Sequence, residues 1–127
     1  MTEELLDTVP SQVEIEIQGI RAFISEKHVS DFIPEMEISL EKAIGFSQRV
    51  GELANEAEHD YEVLHAECVT RLERLEEQTE TTRKALLSGW LAEAKLKLSN
   101  LKVMRQSLKQ IQMTLMQAIK TRREEPR

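Results

Sequence analysis

Two runs of residues spaced alternately by four and three dominate this chain. Val50, Ala54, Ala57, Tyr61, Leu64, Cys68, Arg71 and Leu75 form the first. Leu87, Leu91, Ala94, Leu98, Leu101, Arg105, Leu108, Gln112, Leu115 and Ile119 form the second. A 3.5-residue repeat keeps one side of an α-helix turned toward a partner, whereas a strand alternates its side chains with period two. Met36, Leu40 and Ile44 extend the first run toward Pro34, and no proline interrupts residues 35–78. Gly45 and Gly51 each cost a helix interior about 1 kcal/mol relative to alanine, so they mark places where this helix would bend or loosen. Thr79, Thr81 and Thr82 separate the two runs and are competent N-caps for a second long helix, which reaches Glu124 before Pro126.

Ahead of these runs, Val13, Ile17, Ile20 and Ile24 recur at helical spacing. Val13, Ile15 and Ile17 also alternate with glutamates as in a strand. The alternation stops at Gly19 while the helical stripe continues, which favours a helix. Residues 1–10 read as frayed or loosely helical, and Pro10 suits a first helical turn. Ser30 or Asp31 is placed to cap the helix that begins near Pro34.

The expected fold is therefore all-α and a single domain of 127 residues. It has an N-terminal helix over 11–28, an acidic long helix over 35–78 and a basic long helix over 82–124. The two long helices should fold back as an antiparallel, coiled-coil-like hairpin. Trp90, Met104, Ile111 and Met116 widen the apolar stripe of the last helix, implying a second buried face covered by the first helix or by other subunits of an oligomer. Aromatics at 4% fit such a seam better than a broad globular core. Arg71, Arg105 and Gln112 are polar seam positions of the kind that set register or oligomer state. A single cysteine, no signal-peptide pattern and no long apolar run point to a cytoplasmic protein without a membrane span.

Charge is divided unevenly along the chain. Residues 1–82 carry 20 acidic and 6 basic side chains, and residues 83–127 carry 3 acidic and 11 basic, so −14 and +8 add to the net −6. Lys95, Lys102 and Lys109 recur every seven residues beside the seam, joined by Lys97, Lys120, Arg122 and Arg123. Such a tract suits phosphate contacts, which need no particular base sequence. The same lysines are also placed to pair with Glu58, Asp60 and Glu67 beside the first seam. Lys120, Arg122 and Arg123 would in addition favour the negative end of their own helix.

Other chemistry is weakly signalled. Glu56/His59 and Glu62/His65 are Glu-x-x-His pairs, but a six-residue offset on one helix turns them about 240° apart, so no metal site is expected. Cys68 falls on the seam and reads as a buried thiol. Tyr61 reads as core and Trp90 as packing beside the seam. No phosphate loop, nucleophile elbow or catalytic carboxylate pair is present, so neither an enzyme, a cofactor nor a small-molecule substrate is expected.

The segments ELANEAEHDYEVLHAE, TETTRKALLSGWLAEAKLKLSNLK and the terminal AIKTRREE, spanning about residues 53–123, resemble phage recombination mediator proteins of the UvsY type. The resemblance lies in the order and character of the helices and covers a little over half of the chain. It implies a small helical homo-oligomer that binds single-stranded DNA, remodels the single-strand-binding protein and helps load a recombinase. It would carry phosphate contacts onto Lys95, Lys97, Lys102, Lys109, Lys120, Arg122 and Arg123, by position in the helix. The acidic N-terminal half departs from that pattern.

Overall fold

The computed structural model describes residues 11–75 and 79–125. It is built from three helices, α1 (Gln12–Ser25), α2 (Ile33–Glu73) and α3 (Glu80–Glu124), with no strand among the described residues. The expectations for residues 1–10, Pro10 included, for 76–78 and for Pro126 lie outside them.

Each helix start has a local cause. Ser11 caps α1 with a full capping box: its hydroxyl accepts from the Glu14 N–H at 3.1 Å, and the Glu14 carboxylate accepts from the Ser11 N–H at 3.3 Å. Val13, Ile17, Ile20 and Ile24 turn inward along α1 while Ile15 is 49% exposed, which is the helical pattern and not the alternating one. Ser30 accepts from the Phe32 N–H at 3.2 Å just ahead of α2. Pro34 then occupies the first turn of α2, where a missing N–H costs nothing. Thr79 caps α3 by accepting from the Thr82 N–H at 3.1 Å. At the other end of α2, the Arg74 and Leu75 N–H groups donate three residues back, to Arg71 and Leu72, which tightens the final turn.

The chain divides into two compact units. The first takes the chain up to Phe46 together with Ser107 onward, and so holds α1 and the matching parts of α2 and α3. Its core includes Ile20, Phe23, Met36, Ala43, Leu108, Leu115 and Ile119. Met36, Leu115 and Ile119 form one buried cluster, with Ile33, Leu40, Ile111 and Ala118 packed on it. Phe23 meets Phe46 edge-on at 5.1 Å between centroids. His28, ahead of α2, stacks on Phe23 at 4.1 Å, and its Nε2 lies 2.6 Å from the Phe23 carbonyl, so the imidazole donates to a carbonyl at the end of α1. Between α2 and α3, Gln112 donates to the Ala43 carbonyl at 3.4 Å, and Arg123 pairs with Glu37. Low residue numbers thus meet high ones, and the helices run antiparallel.

The second unit, Ser47–Gln106, holds α2 and α3 segments alone. Val50, Leu53, Ala54, Ala57, Cys68, Leu72, Leu91, Leu101 and Met104 are its buried apolar residues. Arg71 lies over the Trp90 ring at 4.3 Å, and the Arg105 guanidinium lies against Gly51, so this pair too is antiparallel. α2 continues unbroken through Gly45 and Gly51, where the sequence suggested loosening.

Three seam assignments shift, one of them on α3, where Met104 is buried and Arg105 is exposed. Ile44 is 42% exposed, and Ala43 and Ser47 carry the seam past it, keeping the alternation 36, 40, 43, 47, 50. Farther along, Leu72 is buried and Arg71 is exposed. At Ile44 the helix keeps its four-and-three alternation by burying the smaller Ala43; at Arg71 it departs from that alternation, and the apolar Leu72 is buried in place of the charged side chain. No helix among the described residues is long and apolar enough to cross a membrane.

Candidate nucleic-acid interface

α3 presents most of the basic tract. Lys95, Lys97, Lys102, Lys109 and Lys120 are all exposed, and none of them makes an ion pair among the described residues. In the second unit, Glu58, Asp60 and Glu67 are exposed on α2 and are likewise without an ion pair among those residues. The pairing that the sequence offers between these carboxylates and the flanking lysines is not formed.

The terminal arginines differ from the lysines. Arg122 is half-buried; its Nε donates to the Asp31 carbonyl at 3.0 Å, and its two terminal nitrogens reach the carboxylates of Asp31 at 3.5 Å and Glu125 at 3.2 Å. Arg123 donates to Glu37 at 2.6 Å. These contacts tie the last turns of α3 to α2 and to the segment before it, so both guanidinium groups are already satisfied. A phosphate would have to compete for them, whereas the five lysines have no ion pair among the described residues to give up.

Spacing explains the lysine arrangement. Lys95, Lys102 and Lys109 share one heptad position in the sequence, and within the second unit Lys95 and Lys102 therefore lie about 10 Å apart along one side of α3. A single strand is flexible enough to follow such a row, because its phosphates are held by charge and not by a fixed groove. Between and beside these lysines, Leu96, Val103, Met113 and Met116 remain more than half exposed.

The remaining candidates are placed as follows. Glu56, His59, Glu62 and His65 all lie exposed on α2, and no group of three or more His, Cys, Asp or Glu side chains among the described residues is arranged to hold a metal ion. Cys68 is buried and unpaired. Trp90 is half-buried beneath Arg71. Tyr61, on the seam by spacing, is only half-buried and borders a groove with His65.

These features define an all-α protein whose two long helices pack against one another and whose last helix carries exposed lysines without ion pairs among the described residues. No protein-family model, curated protein or solved structure matches the chain. The mediator resemblance therefore stands on the segments quoted above.

Proposed function

We propose that this chain is a non-enzymatic accessory protein that binds single-stranded DNA through α3, as a mediator in phage-type recombination. The observation that carries this reading is the set of five exposed lysines on α3 that no carboxylate among the described residues neutralises. In this reading Lys95, Lys97, Lys102, Lys109 and Lys120 contact phosphates first. Arg122 and Arg123 contribute only when DNA displaces Asp31, Glu37 and Glu125. The protein works as a homo-oligomer in the cytoplasm of a bacterium or phage-infected host, with a recombinase and a single-strand-binding protein as partners.

Fluorescence anisotropy of a labelled single-stranded oligonucleotide tests the reading. Five phosphate contacts predict an affinity that falls about 100-fold between 50 and 200 mM salt. Replacing Lys95, Lys102 and Lys109 together by glutamate should abolish binding at moderate salt and leave helix content unchanged. Absence of binding by the unaltered protein at low salt would sink the proposal.

A second reading, an adaptor that assembles through helix faces without nucleic acid, is favoured by a different observation. Leu96 and Val103, seven residues apart on one side of α3, are 61% and 57% exposed, and apolar side chains recurring along an exposed helix face suit a protein partner. Sedimentation of the lysine variant separates the readings: an unchanged mass with lost DNA binding favours the mediator, and loss of assembly favours the adaptor.

A further inference from the structure

The second unit contains an open groove of about 560 Å³ between α2 and α3. Its α2 wall is formed by Tyr61 and His65, and its α3 wall includes Ser88, Leu91, Lys95 and Ser99. Although α2 is strongly acidic, no carboxylate among the described residues lines this groove, and Lys95 is the lysine that does. The Tyr61 and His65 rings lie 6.2 Å apart, tilted by 38°. That separation leaves no room for a third flat ring between them, so a base would rest on the outer face of the pair.

We propose that this groove is a nucleotide subsite for single-stranded DNA, in which a base stacks on Tyr61 beside His65 and the adjoining phosphate meets Lys95. The proposal rests on the reading of α3 as the DNA-binding helix and adds base contact to it. Three observations converge on this occupant. The half-buried phenol ring offers a flat apolar surface on one wall. Lys95 on the other wall also belongs to the lysine row, so a strand following that row passes the groove. The seryl hydroxyls of Ser88 and Ser99 can serve phosphate or base edges without selecting one base. An anion with an aromatic face complements this lining, whereas an acidic or purely aliphatic ligand would use only part of it.

The test compares a labelled oligothymidylate with an abasic strand of the same length and charge, at low salt, for the unaltered protein and for Tyr61→Leu and Tyr61→Phe. The expected result is a preference for the base-bearing strand on the order of ten-fold. Tyr61→Leu should erase that preference while keeping the affinity for the abasic strand, and Tyr61→Phe, which retains the ring, should keep it. Equal binding of both strands by the unaltered protein overturns the subsite and leaves the DNA-binding reading intact. Binding of neither strand overturns both. A Tyr61→Leu protein that keeps the preference but sediments at lower mass would show that a second copy of the chain fills the groove, and would also overturn the proposal. Circular dichroism of each variant verifies that the helices persist.

Discussion

The same two helices meet different surroundings in the two units. In the first unit α1 supplies Ile20 and Phe23 to the core, Phe23 meets Phe46, and Arg122 and Arg123 pair with Asp31 and Glu37. In the second, the described helices are segments of α2 and α3, and Glu58, Glu67, Lys95 and Lys102 stand without ion pairs among the described residues. Two cations on one helix therefore have different availability according to what packs beside them. A count of positive charges along α3 treats Arg123 and Lys102 alike; their neighbours distinguish them.

The sharpest way to break this comparison is to remove the side chain that ties α1 into its unit. Phe23→Ala deletes a 7%-exposed ring and should cost about 3–5 kcal/mol in chemical denaturation. A cost near zero would mean that α1 contributes little, and the units would then differ less than described. In the second unit the comparable device is a surface contact. Arg71→Ala removes the cation over Trp90, and the expected loss is about 0.5–1 kcal/mol, accompanied by a change in Trp90 fluorescence. The smallest effect should come from Arg123→Ala. Its partner Glu37 is exposed, and exposed pairs contribute about 0–1 kcal/mol. Its effect should shrink further as salt rises in a melting series.

Much of the fold is legible in the residues. Alternating four- and three-residue spacing suffices to find α2 and α3, and the stripe Val13, Ile17, Ile20 finds α1, because helix periodicity is a local property. Ile44 and Arg71 mislead for opposite reasons. At Ile44 side-chain size points away from Ala43, which the alternation 36, 40, 43, 47, 50 selects; at Arg71 the alternation points away from Leu72, whose apolar side chain is the one buried. The site is less legible. Heptad position states which way Tyr61 and Lys95 face, but not whether anything covers them. Whether Lys102 or Arg122 finds a carboxylate depends on residues tens of positions away, as the pair Arg122–Asp31 illustrates. The resemblance to mediator proteins placed all seven cations in one group, a group that the contacts of Arg122 and Arg123 divide.

The stacking of Arg71 on Trp90 also bears on how α2 and α3 find their alignment. A heptad seam keeps its seam positions in line when it slips by seven residues, although the side chains at those positions change. Slipping α3 by one heptad within this unit would exchange Trp90 for Arg83 in one direction and for Lys97 in the other. Either way Arg71 would face a second cation in place of an aromatic ring, and like charges in contact repel. One arginine on the seam edge thus adds to the penalty on both neighbouring misalignments, one of which would also bring Lys84 to the place of Leu91 and the other Arg105 to the place of Leu98.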